Sequence, residues 1–402
     1  MTNSQLRKTI SRAALAIPAA IFVIGTTPVE NASALRQATP RYFVTDLPSL
    51  GGPTSEGRNI DNSGMVAGIS DLPGGATRHA VRWLREEIRD LGTLGGPNSA
   101  VLWTDRNHGR TIIGIAEGDE VDPRNEAFSC SEFFPGGRPA RTGRVCRGVA
   151  WDRDGMTPLD TLGGTHSFAT GANNRRQVVG WAQTAFEDPT CVGDAVFQFL
   201  PVIWNAKTGQ IERDLPPFPG DTVGTANAIN DKGQVVGISG ICDQAVGRES
   251  ARHAVLWENG TVTDIGNLGA DTWNTPLAIN QHGDVVGFAG VLDDQGLVQN
   301  FGAFFWTKQS GIRPLGTLGD DTHSEAWAIN TRRQVAGVSC GTVCSGFLWQ
   351  DDVLMDLNDL VQPGYPGHIR TARDINDSGV ITGQTVNPDT GERRAFVAVP
   401  IR

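Results

Sequence analysis

Three tryptophans, two histidines and three aspartates are the residues here whose type and placement could do chemistry. Trp181, Trp273 and Trp327 stand outside the register in which the other tryptophans recur. An indole out of register is available to stack on a ligand ring, since it offers a large apolar face and one N–H donor; packing within the core is the plainer use. His166 and His323 occupy matched contexts, Gly164-Thr165-His166-Ser167 and Asp321-Thr322-His323-Ser324. A Ser/His/Asp device is conceivable, but no nucleophile elbow or oxyanion loop accompanies them. Asp221, Asp271 and Asp321 sit in similar loops, Gly220-Asp221, Ala270-Asp271 and Asp320-Asp321. Ca²⁺ favours several oxygen ligands, and each loop offers one or two carboxylates. Calcium is therefore a weak possibility, and no cofactor is expected. The sequence shows no phosphate loop, dinucleotide fingerprint or metalloprotease helix.

The six cysteines suggest a disulfide framework. Cys130 and Cys146 flank one Gly/Arg-rich excursion, Cys340 and Cys344 share a short turn, and Cys191 and Cys242 occupy comparable places in successive repeats. An even count in an exported chain reads as three bridges with those pairings. No CxxC or HxxxH spacing supports zinc instead. Export is itself read from the first 34 residues. Arg7, Lys8 and Arg12 precede an apolar stretch from Ala13 to about Gly25, and Ala32-Ser33-Ala34 gives a small-x-small cleavage pattern. The apolar run is too short to span about 30 Å of hydrocarbon. Residues 1–34 are therefore expected to be a signal peptide, with 35–402 the mature, secreted or periplasmic chain.

Those 34 residues hold three bases and one acid, so removing them takes the net charge from −10 to about −12. An acidic chain lacks the electrostatic footprint for nucleic acid, and no other apolar run is long enough to cross a membrane.

What positions the candidate residues is a repeat. The phrase Ala228-Ile229-Asn230-Asp231-Lys232-Gly233-Gln234-Val235-Val236-Gly237 recurs, closing on Gly68, Gly114, Gly180, Gly237, Gly287, Gly337 and Gly383. After each glycine a segment ends in an aromatic: Trp83, Trp151, Trp204, Trp257, Trp306, Trp349 and, in the seventh copy, Phe396. The Asn-Asp-x-Gly stretch reads as a tight turn, because Asn bonds its own backbone and Gly accepts positive φ. The Asn/Asp of these turns are turn devices before they are ligands. Each copy supplies four short strands, which is one propeller blade. Fifty glycines and 22 prolines argue against a helical chain, whereas ten tryptophans supply buried surface.

The reading is an all-β, seven-bladed propeller of four-stranded blades. The first strand-like segment, 42–47, matches a fourth strand without its first three, and the last, 394–399, matches a third strand. The two are expected to pair and close the ring.

The phrases His253-Ala254-Val255-Leu256-Trp257, Asp90-Leu91-Gly92-Thr93-Leu94-Gly95-Gly96 and Ala228–Gly237 resemble the HAF-type repeats of bacterial extracellular proteins. The resemblance covers about residues 42–399. It implies an exported repeat protein and brings no catalytic residues with it. The second copy departs from the pattern, with Trp103-Thr104-Asp105 in place of Ile-Asn-Asp.

Long insertions fall after second strands, at 117–146, 183–197, 240–251 and 290–300, all on one side of such a ring. Variable loops on a rigid frame are where binding resides. The expected function is a non-catalytic binding or scaffold protein, a monomer, taking an extracellular glycan, peptide or protein on that face. Trp181, Trp273, Trp327, His166, His323, Asp221, Asp271 and Asp321 are the candidate contacts. The alternative is a polysaccharide-degrading enzyme with carboxylates at the central channel, where two carboxyl groups about 5–10 Å apart would be needed.

Overall fold

The computed structural model describes residues 41–401 apart from 86, 104–110, 127–132, 136–142, 193–194, 243–246 and 294. Residues 1–34, expected to be a signal peptide, and Cys130 thus lie outside the described residues. The described strands form seven four-stranded antiparallel sheets arranged as a ring of blades. Blades 1 to 6 span 55–90, 95–158, 163–214, 223–264, 275–314 and 323–356. Within each, the strands run in chain order from the axis outward.

The seventh blade is composite. Its inner three strands are His368–Ile375, Ile381–Val386 and Arg393–Ile401, and its outer strand is Arg41–Asp46 from the other end of the chain. Arg41 lies opposite Ile401 and Asp46 opposite Phe396. The closure is the expected one, shifted one residue toward the N-terminus and with a longer partner strand.

Each repeat's closing glycine has one steric cause. The inner strands carry a bulge at a common place, for example between Gly57 and Asn59 and between Ala226 and Ala228. The bulge presses an inner-strand carbonyl against the glycine opposite. A Cβ at Gly237 would overlap the carbonyl oxygen of Thr225, and the same clash recurs at all seven closing glycines.

The hairpin turns do more than reverse the chain. Asn230 Oδ1 accepts from the Lys232 and Gln234 N–H groups, holding its own turn. Its Nδ2 donates to the Asn280 carbonyl of the next blade at 3.0 Å. Equivalent bonds run from Asn173 to Asn230, Asn280 to Asn330, Asn330 to Asn376, and Asn376 to Asp61. This belt ties blades 3 to 7 and then blade 1 around the ring. It stops at Asp61, whose carboxylate has no donor to pass on, and the next turn falls within 104–110, outside the described residues.

Replacing Asn280 with Asp keeps the turn acceptor but removes two donors. It also sets a carboxylate against the Asn330 carbonyl and Asp284. Urea unfolding is expected to show a loss of about 2–4 kcal/mol. A loss below about 0.5 kcal/mol would mean the belt is ornamental.

Tryptophans on the third strands fill the spaces between blades, and their indole N–H groups latch the preceding loops. Trp83 donates to Pro48, Trp151 to Leu91, Trp204 to Asp160 and Trp257 to Pro216, at 2.7–3.0 Å. Phe396 is not the seventh member of this set. It pairs with Gly383, the position held by Val255 in blade 4, and Ala398 takes the tryptophan's place opposite Ile381. Here the core is instead built by Tyr42, Val44, Leu357 and Leu360, so the incoming strand supplies the volume that a tryptophan supplies elsewhere.

Cys191 and Cys242 are bridged, joining the insertions of blades 3 and 4, and Cys340 is bridged to Cys344 across a hairpin. Cys146 is disulfide-bonded, but the expected pairing with Cys130 cannot be described at its other end. Three of the insertions prolong a strand of their blade: Ile112–Val121, Gln177–Glu187 and Val298–Thr307. Among the described residues no helix is long and apolar enough to cross a membrane.

Candidate functional site at the channel mouth

The inner strands begin on the insertion side, so the residues early in each strand meet around the axis there. Four of the blades place reactive side chains at this point. Blade 1 contributes Glu56 and Arg58, blade 6 His323, Glu325 and Trp327, and blade 7 Thr371 and Arg373, while blade 2 adds Trp103 from beyond the end of its inner strand, Gly95–Ala100.

These side chains form an unbroken path across blades. Trp273, in the loop before blade 5, packs its ring 5.0 Å from that of Phe301. Phe301 meets Phe288 at 5.6 Å and His323 edge-on at 5.8 Å. His323 Nε2 lies 3.2 Å from Glu325 Oε1, and Trp327 donates its N–H to Glu325 Oε2 at 2.7 Å. The Arg373 guanidinium covers the Trp327 ring and bonds Glu56. Glu56 also pairs with Arg58 at 2.8 Å, and Arg58 donates to the Leu102 carbonyl of blade 2. Trp103 follows, packed against core clusters on both sides of the ring.

Charge is fixed along this path. Burial alone would raise the Glu56 pKa, but Arg373 and Arg58 together outweigh it and hold the carboxyl at about 2. Burial likewise opposes ionisation of Glu325, yet bonds from His323 and Trp327 and the charge of Arg373 leave its pKa lowered. The His323 pKa is raised by its bond to Glu325. Two carboxylates do converge near the axis, but both are held ionised. A glycosidase pair needs one carboxyl kept protonated as the acid, and the arginines here work against that state.

Donors are in surplus at the same place. Arg58 Nε, Asn59 Nδ2 and Trp103 Nε1 are buried with no hydrogen-bond partner among the described residues. Trp273 is also conformationally unusual. Its φ of 63° is rare for a bulky residue, and strain of this kind concentrates where a side chain has to be aimed.

The structure gathers three of the sequence candidates, Trp273, Trp327 and His323, and disperses the others. Trp181 is buried, stacked on Phe168 and flanked by Phe199, so both of its faces are occupied. His166 lies elsewhere in the ring, fully buried. Its Nε2 faces Asp122 at 3.2 Å, and its Nδ1 accepts the Cys146 N–H. Neither ring nitrogen is left to activate a nucleophile, and Ser167 bonds Gly148 and Leu159 instead.

Asp221 pairs with His253, Asp321 accepts from Ser339, and Asp271 is exposed in the loop before blade 5. Among the described residues no group of three metal-ligating side chains gathers. Gly337-Val338-Ser339-Cys340-Gly341 has the spelling of a nucleophile elbow, but Ser339 lies in a regular antiparallel strand. Its hydroxyl accepts the Leu318 N–H, as Ser239 accepts that of Phe218.

Glu56, Arg58, Phe288, Phe301, Glu325, Arg373 and Trp103 were not singled out by the sequence. The signal was there in the inner-strand phrase. Glu56 and Arg58, and Glu325 and Trp327, stand where the clearest copy has Thr225 and Asn227.

The fold and the site together define a closed propeller with an aromatic and ionic path at one channel mouth. No family model matches the chain, and no curated protein matches it. Solved structures similar to it include a streptogramin B lyase, at 10% identity over 90% of this chain and 98% of that one, with a TM-score of 0.48. An acylaminoacyl peptidase from Pyrococcus horikoshii is similar at 10% identity over 86% of this chain, with a TM-score of 0.45. The chain spans 53% of that peptidase's length. A Trypanosoma rangeli sialidase is similar at 8% identity, covering 90% of this chain and 55% of that one, with a TM-score of 0.39. At these values no residue role passes from them to this chain.

Proposed function

We propose that this chain is an exported, non-catalytic binding protein of the HAF-repeat kind, taking an extended glycan at the insertion-side mouth of its channel. The observation that carries the reading is the path from Trp273 through Phe301 and His323 to the Glu325–Arg373–Glu56 cluster. Partly open rings at one end suit the apolar faces of sugar rings, and the ionised groups further in suit hydroxyls. The ionised state of both glutamates favours holding a ligand over cleaving it. Two disulfides fit a location outside the reducing cytosol.

The test is a glycan array probed with the mature protein and with Trp273→Gly. Glycine removes the ring and accepts the positive φ, so the fold should be kept. Retained glycans are expected to lose at least about tenfold in affinity, a cost typical of losing one stacked aromatic anchor. No retained glycan, or equal retention by the variant, would defeat the reading.

A further inference from the structure

The opposite side of the ring, where the hairpin turns lie, carries a second site in a cleft between blades 1 and 2. We propose that this cleft binds an oxyanion carried on a small apolar or ring-shaped body. Its volume is about 400 Å³. Met65, Leu91, Ile112, Trp151 and Met156 form the apolar lining, and Arg82, Arg89 and Arg153 stand among them.

The repeat supplies an internal control for Arg82. It is the residue just before the third-strand tryptophan of blade 1. The same position holds Ala150, Ile203, Leu256, Phe305 and Leu348 in blades 2 to 6, each part of the apolar packing between blades. Only blade 1 places a guanidinium there. Arg82 also lies directly opposite Arg89 on the neighbouring strand. Like charges in register destabilise a sheet, so the pair calls for a counter-charge.

No direct ion pair among the described residues supplies one. Among the described residues no carboxylate pairs with Arg82, Arg89 or Arg153, whereas Arg78, Arg313 and Arg333 have such partners. Three aspartates also line the cleft, but each is engaged. Asp61 Oδ1 accepts from the Ser63 and Met65 N–H groups, Asp90 accepts from His79 and the Gly92 N–H, and Asp152 accepts the Asp154 N–H. A neighbouring cleft shares Asp152 and Arg153 and adds Asp154, Arg176 and Lys207, so further cations follow toward blade 3. Planar guanidinium groups facing one space are the arrangement that takes phosphate, sulfate or carboxylate with paired hydrogen bonds.

The experiment titrates the mature protein with phenyl phosphate, phenyl sulfate, benzoate and phenol by calorimetry. It repeats the series on Arg82→Leu and Arg89→Ala. The first substitution restores the residue type of the other blades, so its melting temperature should stay level or rise. At least one phenyl oxyanion is expected to bind the wild type about tenfold or more tightly than phenol, as charge-assisted bonds require. Which one does so separates phosphate, sulfate and carboxylate recognition. Both variants should lose that preference while still folding. Equal binding of phenol and all three anions, or an unchanged preference in Arg82→Leu, would overturn the proposal. Glycan retention at the channel mouth should be indifferent to Arg82→Leu, which keeps the two sites distinguishable.

Discussion

Removing residues 41–46 is expected to cost the ring more than any single side chain could. The segment provides the outer strand of blade 7, in register from Arg41–Ile401 to Asp46–Phe396. It buries Tyr42 and Val44 and is gripped on its other edge as well. Gln362 exchanges two side-chain bonds with the Val44 backbone, and Tyr365 and Thr385 both donate to Asp46. Two buried side chains at about 2–3 kcal/mol each, with the strand's hydrogen bonds added, bring the loss to about 5–10 kcal/mol, as much as many domains possess. For a chain of this size that lowers the melting temperature by roughly 10 °C or prevents folding. Circular dichroism melting of a chain starting at Leu47 reads the effect, and a synthetic peptide spanning 40–47 added in trans should restore part of it. A transition unmoved by the deletion would mean that the ring is closed by something else.

The second large effect concerns Glu56. Its carboxylate is buried between Arg58 and Arg373, so Glu56→Gln leaves two guanidinium groups facing each other without their shared counter-ion. Breaking such a buried pair costs about 3–5 kcal/mol. The penalty must depend on pH in one direction. The folded carboxyl titrates at about 2, against an ordinary value of 4.5. A lowered carboxyl pKa adds stability that is complete above the unfolded value and fades as pH falls toward the folded one. From that shift the term is about 3 kcal/mol. The stability gap between wild type and Glu56→Gln should therefore be widest above about pH 5 and shrink between about pH 4.5 and 2. Urea midpoints of both proteins at pH 6 and pH 3.5 measure it. A gap of constant size across that interval would show that Glu56 is not held ionised by its neighbours, and the argument against acid catalysis at the channel would go with it.

Much of the frame could be read from residues alone, because local rules act at every copy. In the six described turns an Asn or Asp is followed three residues later by a positive-φ residue, Gly in four and Arg176 and Arg333 in the others, and a glycine is needed wherever the inner-strand bulge presses a carbonyl against its neighbour. The bridge Cys191–Cys242 was legible because equivalent places in adjacent repeats become neighbours in a ring, and Cys340–Cys344 because the two share one short turn. The site was less legible. Trp273, Trp327 and His323 stood out, but Trp181 looked equivalent to them and proved to be core.

The difference lies in what each kind of information measures. The order of residues along the chain determined the number of blades, the turns and the segments that close the circle, since those follow from short-range sterics and hydrogen bonding repeated seven times. Only the folded ring decided that Glu56 and Arg373, more than 300 positions apart, share an ion pair, that Phe396 is not the seventh tryptophan's substitute, and that Arg82 and Arg89 face one cleft between blades 1 and 2. Those facts depend on which side chains curvature brings together, and no spacing within a single repeat encodes the neighbour across the blade.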